Sequence, residues 1–355
     1  MKSLSVFLKT SMTLVFALFS LLLMAQSKPN IVILATGGTI AGAGTSATGS
    51  EYTSGQVKID AMIDAVPNIR DLANLRGEQI SNVGSQDMSV KIWLDLANRI
   101  NTLLAGKDVD GIVITHGTDT QEETAYFLDL VVKSDKPVVL TGSMRPSTAL
   151  SAEGPLNLYN AVAVAANPAS KGYGVMVVMN DEIHSAKDVR KMITTPVQTF
   201  QSPQEGLIGT AIFGQVEFLH KPNGKHTLQS EFSVEGVTSL PRVDIVYACA
   251  DMSPDLIDIM VKAGAKGIVI AGVGDGNMTT ATLDAAKKAA SQGIWVVRAS
   301  RIPIGKVLIR GEVNDKEYGT ICSDELNPQK ARVLLMLAML KKRSWEDMQR
   351  LFVEY

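Results

Sequence analysis

Hydroxyl side chains follow two segments that the sequence predicts to be buried strands. The apolar residues 31–34 lead into A-T-G-G-T-I-A-G at 35–42, where Thr39 comes directly after two glycines that let a ligand approach the backbone. Ligands of open parallel α/β sheets bind beyond the carboxyl ends of the strands, so Thr39 is a candidate nucleophile. This stretch alone favours the alternative of a tight turn with a hydrogen-bonding threonine.

A second strand-and-turn segment carries a hydroxyl beside a carboxylate. The predicted strand 111–115 runs into H-G-T-D-T at 116–120, which contains Thr118 and Asp119. A helix is predicted to follow, and Thr120 with Glu123 has the spacing of a capping box. A helix N-terminus favours negative charge, so this turn could bind a substrate carboxylate or a developing oxyanion.

Together and in this order, the two motifs resemble the two signatures of the bacterial-type L-asparaginase and glutaminase-asparaginase family. The resemblance is closest to the secreted type II branch and covers the chain after residue 27. It implies a hydrolase that needs no cofactor and converts L-asparagine and water to L-aspartate and ammonia. It also implies a homotetramer, a dimer of intimate dimers, in which a neighbouring chain completes each active site.

The resemblance gives catalytic roles to two threonines and the residues around them. Thr39 would form the acyl-enzyme with help from Tyr52, which lies in a Gly/Ser/Thr-rich loop typical of a mobile lid. Lys191 matches the family lysine that pairs with Thr118 and Asp119 to activate water, and a lysine acts as a base only in its neutral form. Without the resemblance, the sequence favours a Tyr52 that anchors a surface loop and a Lys191 that is solvated.

Other positions match residues that bind the substrate. The resemblance assigns Ser85 and Gln86 to the substrate's α-carboxylate and amino ends, and Glu312 with Asp119 to its ammonium group. Asn277 and Glu312 would reach the active site of the neighbouring chain, where Glu312 contacts the catalytic tyrosine. From the residues alone, Ser85 could be a helix cap and Glu312 a surface carboxylate.

Two positions indicate opposite substrate preferences. Asn277 is similar to the asparagine-preferring members, whereas Ser143 stands where glutaminase-asparaginases often have serine and the best-known asparaginases have alanine. A dual glutaminase-asparaginase is therefore the alternative. A periplasmic solute-binding protein would also fit two α/β domains and a leader, but a binding protein needs no nucleophile. An amidotransferase component is disfavoured by the leader.

The alternation of short apolar segments with amphipathic helices predicts the elements that position these residues. It is typical of mostly parallel sheets flanked by helices. The predicted strands lie at 31–35, 111–115, 137–141, 174–180, 244–250, 267–271 and 294–299. The predicted helices lie at 90–104, 121–132, 156–166, 254–263, 280–291 and 331–340, the last of these starting near Asn327-Pro328, and a short final helix follows Ser344.

A polar stretch predicts the division of the chain into domains. We expect a larger N-terminal domain at 28–220, a linker at 221–242 and a smaller C-terminal domain at 243–355. The net charge of −2 and the lack of a basic run exclude nucleic acid as the expected partner. The chain has two cysteines; Cys249 is predicted to be buried in a strand, and no Cys/His spacing indicates a metal site.

The first 27 residues have the pattern of a signal peptide. Lys2 and Lys9 precede an apolar run at 12–25, and Ala25-Gln26-Ser27 resembles a small-x-small cleavage site. The run is too short for a membrane-spanning helix, although an uncleaved N-terminal anchor is an alternative. We therefore expect export to the periplasm without a stable membrane anchor.

Overall fold

The computed structural model describes residues 27–49, 51 and 53–355, and its architecture is mixed α/β. Residues 1–26, which hold nearly all of the predicted signal peptide, lie outside the described residues, as does the predicted catalytic residue Tyr52. Within the described part of the chain, the strands form one sheet of eight strands, one of four and one of two. The predicted fold class, α/β with mostly parallel sheets, is confirmed.

The N-terminal part of the chain contributes the larger sheet. Its strands and those of the small sheet are β1 Asn30–Gly37, β2 Asn74–Val83, β3 Gly111–Thr115, β4 Val138–Thr141, β5 Val175–Met179, β6 Glu182–Ser185, β7 Arg190–Lys191, β8 Phe200–Gln201, β9 Gly209–Ile212 and β10 Gln215–Phe218. The order in the larger sheet is β10-β9-β6-β5-β4-β3-β1-β2, while β7 pairs only with β8. Strands β2, β1, β3, β4 and β5 are parallel neighbours, and the others join in antiparallel pairs.

The central strands are buried on both faces, which explains their continuous apolar sequences. In β1, Ile31 and Ile33 enter one apolar cluster, whereas Val32 and Leu34 enter the other, as the two-residue period of a strand requires. Ala35 of β1 pairs with Thr115, the last residue of β3, and β1 continues only two residues further, to Gly37. The two turns that follow them are therefore brought side by side.

Helices cover this sheet close to where the sequence predicts them. The helices of the N-terminal part are α1 Ile59–Asp64, α2 Ile69–Leu72, α3 Val90–Ala105, α4 Gln121–Val131 and α5 Gly154–Ala166. Ser89 caps α3, since its hydroxyl accepts the Ile92 N–H at 3.3 Å. The sequence analysis did not predict α1, α2, β2 or the antiparallel strands β6, β9 and β10.

The C-terminal part forms the smaller, fully parallel sheet. Its strands β11 Val243–Tyr247, β12 Gly267–Gly272, β13 Trp295–Ser300 and β14 Thr320–Cys322 lie in chain order. Its helices are α6 Asp255–Lys262, α7 Thr280–Ser291, α8 Asp315–Tyr318, α9 Pro328–Ala338 and α10 Trp345–Glu354. Asn327 and Ser344 cap α9 and α10 by accepting the N–H groups of Lys330 and Asp347, which confirms both predicted helix starts.

The prediction that Cys249 is a buried strand residue is wrong. Strand β11 ends at Tyr247, two residues earlier, and Cys249 is exposed with a free thiol. The apolar character of residues 248–250 suggested a longer strand, but the chain turns away from the sheet there. Cys322 lies buried in β14 and is also free.

One apolar cluster joins the two parts of the chain. It contains Phe127 and Leu130 of α4 together with Leu334 and Leu337 of α9. Helix α4, which follows the motif at 115–120, is thereby held against the C-terminal part. Residues 221–242, the predicted linker, contain no strand, as a linker would. Phe232 of this segment nevertheless packs in the same apolar cluster, so the segment is not separate from the two parts that it joins. The domain boundaries at 220 and 243 stay predictions.

No helix in the described ranges combines the length and apolarity that crossing a bilayer would need.

Candidate active site

Two glycine turns meet at the carboxyl ends of β1 and β3. Gly38 has a φ of +80°, and a Cβ on it would lie 2.3 Å from the backbone nitrogen of Gly117. No side chain fits in that space. The sequence analysis interpreted the glycines as room for a ligand; here the missing side chain of Gly38 lets the turn before Thr39 touch the turn before Thr118.

A cleft of about 590 Å³ opens where these two turns meet. Six of the predicted site residues are among those that line it: Thr39, Ser85, Gln86, Thr118, Asp119 and Lys191. Thr39, Thr118 and Ser85 are themselves largely buried, so each presents only a small part of its surface to the cleft. Such a concave site with converging polar groups is typical of a small-molecule site.

Lys191 connects the second threonine to its neighbouring carboxylate. Its Nζ donates to Thr118 Oγ1 at 2.9 Å and to Asp119 Oδ1 at 2.6 Å. The lysine reaches the cleft from β7, a two-residue strand, and its side chain is only 16% exposed. A hydroxyl, an amine and a carboxylate in hydrogen-bonded sequence can pass a proton to or from a bound molecule.

Ser85 fastens the turn that carries Asp119. Its hydroxyl accepts the Asp119 N–H at 3.1 Å, and its carbonyl accepts the Thr120 hydroxyl at 2.8 Å. Ser85 belongs to a short 3-10 helix and is buried, so it fixes the cleft wall as well as lining it.

The predicted capping box at the start of α4 is wrong. Thr120 precedes the helix, but its side chain makes no cap and its φ and ψ of −123° and 16° are not those of an extended cap residue. The tertiary bond to Ser85 takes the hydroxyl instead. Glu123 packs 3.8 Å from Arg332, and burial raises the pKa of its carboxyl to about 7.

His116 is a site residue that the sequence analysis missed. It is fully buried, its Nδ1 lies 2.7 Å from the Gly117 carbonyl and its Nε2 lies 2.9 Å from Thr124 Oγ1. Because a carbonyl only accepts, Nδ1 carries the proton and Nε2 accepts from Thr124, whose oxygen in turn accepts from Trp93 Nε1 at 2.8 Å. Burial lowers the pKa of His116 to about 4, so the neutral ring fixes the turn rather than transferring protons. The signal in the sequence that could have identified His116 is its position in the second motif, as the first residue of H-G-T-D-T at 116–120.

Asn277 and Glu312 are not brought to the cleft of their own chain. They lie in the C-terminal part, where the amide of Asn277 donates to the carboxylate of Glu312. Glu312 is exposed and lines a separate depression with Arg310 and Asn314. The substrate contacts that the resemblance assigns to these two residues therefore need a second chain.

Ser143 does not face the cleft. Its side chain is fully buried, and its hydroxyl donates to the Arg145 carbonyl at 2.6 Å. Met144 and Arg145 line the cleft in its place, while Ser143 packs towards Gly154 at the start of α5. The expectation that Ser143 indicates glutamine as substrate therefore stays a prediction, although its hydroxyl does not line the cleft of its own chain.

Residues 27–49, 51 and 53–355 contain no cluster of three or more His, Cys, Asp or Glu side chains suited to a metal ion.

Comparisons with known proteins connect this cleft to a family. Residues 30–224 match the family model "Asparaginase, N-terminal", and residues 242–352 match "Glutaminase/Asparaginase C-terminal domain". The chain is 51% identical over 331 residues to "Probable L-asparaginase periplasmic" of Haemophilus influenzae, covering 93% of this chain and 94% of that protein. It is 46% identical over 328 residues to "Glutaminase-asparaginase" of Pseudomonas fluorescens biotype A, covering 92% and 90%.

A solved structure has the same fold. The "Probable Cytoplasmic L-asparaginase from Campylobacter jejuni" superposes with a TM-score of 0.90 at 48% sequence identity, covering 92% of this chain and all of that one.

Proposed function

The chain belongs to the glutaminase/asparaginase family, and from this membership we propose that it hydrolyses the side-chain amide of L-asparagine to L-aspartate and ammonia. One observation carries the proposal: Thr39 shares a cleft with the hydrogen-bonded cluster of Thr118, Lys191 and Asp119. Amide hydrolysis needs a nucleophile, a proton-transfer group and donors for the oxyanion, and this cleft offers candidates for each.

The proposed reaction has two steps. The Thr39 hydroxyl oxygen attacks the amide carbon while Tyr52 takes its proton; the carbon–nitrogen bond then breaks as Tyr52 passes this proton to the nitrogen, which leaves as ammonia. The β-aspartyl ester on Thr39 is then attacked by water, which Lys191 activates in its cluster with Thr118 and Asp119. Aspartate leaves and the Thr39 hydroxyl is restored. Thr118 and the backbone N–H groups of its turn would stabilise the oxyanion in both steps.

Recognition of a free amino acid follows from opposed charges. Asp119 and Glu312 would bind the ammonium group. Ser85 would hold the carboxylate, and Ser85 and Gln86 together would bind the α-carboxylate and amino ends of the substrate. The first turn of α4 carries the acidic residues Glu122 and Glu123, which disfavour a second carboxylate at the N–H groups of this helix. The proposal therefore assigns the substrate carboxylate to Ser85 and not to these N–H groups.

A neighbouring chain would complete each site. Asn277 and Glu312 lie outside the cleft of their own chain, and the family resemblance brings them to the cleft of another. The proposed assembly is a homotetramer, a dimer of intimate dimers, because a twofold pair lets each chain supply these residues to the other.

A dual glutaminase-asparaginase is the second candidate function. Similarity to a protein named "Glutaminase-asparaginase" favours it, and a cleft of about 590 Å³ has room for one more methylene group. Asn277 favours asparagine, and the Ser143 hydroxyl, which would favour glutamine, does not line the cleft of its own chain. We therefore propose asparagine as the main substrate.

We also propose the periplasm as the location. The signal-peptide pattern at 1–27 supports it, as does the printed name of the Haemophilus influenzae relative, while the Campylobacter jejuni protein is named cytoplasmic. N-terminal sequencing of the protein recovered from a periplasmic extract should begin close to residue 28, and a full-length chain retained in the cytoplasm would contradict this location.

The proposed function is tested by measuring ammonia release from each amide by the purified chain. We expect kcat/KM for L-asparagine to exceed that for L-glutamine by at least about tenfold, a difference that one methylene can produce. Equal values would support the dual enzyme. Stoichiometric binding of either amino acid without ammonia would favour a binding protein and overturn the proposal.

A further inference from the structure

Glu122 is a buried carboxylate that the proposed reaction does not use. It lies in the first turn of α4, it is 4% exposed, and its Oε2 accepts the backbone N–H of Lys191 at 2.8 Å. Lys191 thus has two anchored ends: its Nζ is bonded to Thr118 and Asp119, and its backbone nitrogen is bonded to Glu122.

The other oxygen of Glu122 reaches the C-terminal part of the chain. Its Oε1 accepts from Asn327 Nδ2 at 3.1 Å and from Gln329 Nε2. Both donors stand at the start of α9, where Asn327 also caps the helix with its oxygen. One carboxylate therefore connects α4, β7 and α9.

The strand that carries Lys191 has few other anchors. β7 consists of Arg190 and Lys191 and pairs only with the two residues of β8. A second link to the C-terminal part is Arg190, whose guanidinium donates to the carbonyls of Glu325, at 2.8 Å, and Pro303. A third is Lys330 of α9, whose Nζ donates to the carbonyls of Lys187, at 2.8 Å, and Val189, just before β7. A two-residue ladder fixes a backbone weakly, so these side-chain contacts decide where the lysine stands.

We propose that Glu122 is a positioning residue for Lys191. Through Asn327 and Gln329 it holds the backbone of β7 at the place where Nζ reaches both Thr118 and Asp119, and so makes the C-terminal part of the same chain a support for the catalytic cluster. The inference rests on the proposed function in one respect: it takes Lys191 as the residue that activates water.

The test compares Glu122→Gln with Glu123→Gln. Glutamine at 122 keeps the size of the side chain but replaces one of two acceptor oxygens with a donor. Either the Lys191 N–H or the side-chain amides of Asn327 and Gln329 then lose their acceptor. The control, Glu123→Gln, removes the next carboxylate of the same helix. Glu123 also faces the C-terminal part, where it lies 3.8 Å from Arg332, but it does not contact Lys191.

We expect Glu122→Gln to lower kcat for asparagine by about 10- to 100-fold, because small displacements of a catalytic group have effects of that size. KM should change by less than about threefold, since Glu122 does not line the cleft, and Glu123→Gln should keep kcat within about twofold. Thermal midpoints measured for both variants show that each is folded. Equal kcat losses in the two variants, or a loss confined to KM, would overturn the inference.

A double-variant cycle separates positioning from a general structural role. If Glu122 acts through Lys191, adding Glu122→Gln to Lys191→Met should lower the residual kcat by less than about twofold. Independent roles would multiply the two losses, and that result would contradict the inference.

Amide hydrogen exchange tests the contact without using activity. The Lys191 N–H should exchange at least about tenfold faster in Glu122→Ala than in Glu123→Ala, because alanine at 122 removes both oxygens that could accept this N–H. If the unmodified chain releases no ammonia, the proposed function fails while this measurement still decides the positioning. If the chain is active but exchange at Lys191 is unchanged, the positioning role fails and the proposed function stands.

Discussion

Single backbone positions decide how closely the two threonines of the cleft approach each other. Gly38 and Gly117 make the contact, and His116 fixes the Gly117 carbonyl from the buried side. The identity of Thr39 and Thr118 as candidates follows from their place after predicted strands. Their mutual distance does not follow, because the register of β1 and β3 and the contact between the two glycines are tertiary facts that no local pattern specifies.

Gly38→Ala should destabilise the fold and abolish most of the activity. Its Cβ would meet the Gly117 nitrogen, and alanine at a φ of +80° is strained as well, so we expect a loss of about 3 kcal/mol in the free energy of unfolding. Gly206→Ala is the matched control, with a φ of +78° and nothing within 4 Å, and should cost about 1 kcal/mol. Urea unfolding measures both; equal losses would show that the turns are not in tight contact.

His116 should make the fold less stable in acid. Its pKa is about 4 in the folded chain and 6.5 unperturbed, so the unfolded chain binds more protons between these values and stability falls as pH drops from about 6.5 to 4. The contribution at pH 4 is about 3 kcal/mol relative to pH 7. Removing the titrating ring in His116→Asn should therefore reduce the acid-side loss of stability by about this amount. If the free energy of unfolding falls equally with decreasing pH in the unmodified chain and in His116→Asn, the buried neutral ring of His116 is not the cause of the loss.

At the scale of elements, the strands of the larger sheet that the sequence predicted are those buried on both faces. β1, β3, β4 and β5 are continuous apolar runs because helices cover them on each side. β2 escaped prediction because it is a partly exposed edge strand with a polar sequence. β6, β9 and β10 escaped because their four residues mix polar and apolar side chains, whereas β4, which is equally short, is almost entirely apolar. The start of α4 was predicted correctly, as was the start of α10 at Ser344. The cap was predictable only where it is local, as at Ser344, because a tertiary contact takes the Thr120 hydroxyl.

Ser344→Ala should cost about 1 kcal/mol in the free energy of unfolding, the usual effect of losing a helix cap. The Ser344 hydroxyl accepts the Asp347 N–H at 3.1 Å at the start of α10. Ser291→Ala is the control, because that exposed hydroxyl lies at the end of α7 and donates to a carbonyl of its own helix, so its loss should cost less than about 0.5 kcal/mol. Equal effects in chemical denaturation would show that the cap does not stabilise α10.

At the scale of the whole molecule, one chain holds the cleft but only part of the predicted site. Thr39, Thr118, Asp119 and Lys191 come together within the chain, whereas Asn277 and Glu312 stay on the surface of the C-terminal part. The resemblance assigns these residues to the cleft of a neighbouring chain, and that assignment stays a prediction. The buried contacts of α4 with α9 show a second role for the C-terminal part, as a support for the cleft of its own chain.

Co-expression of two inactive variants tests whether sites are shared between chains. Thr39→Ala retains Glu312, and Glu312→Ala retains Thr39, so a mixed pair has one intact site if each site takes Glu312 from the neighbour. Random pairing should restore about a quarter of the unmodified activity. Each variant expressed alone is the control, and a mixture that stays as inactive as the controls would place both residues in the site of one chain.

The most direct test of the whole account is the turnover of Thr39→Ala measured beside Thr39→Ser. If the Thr39 hydroxyl is the nucleophile, the alanine variant should lose at least about 10³-fold in kcat for asparagine, while the serine variant, which keeps a hydroxyl at the same place, should lose much less. Thermal midpoints close to that of the unmodified chain would show that both variants fold. An alanine variant that releases ammonia within about tenfold of the unmodified rate would contradict the account.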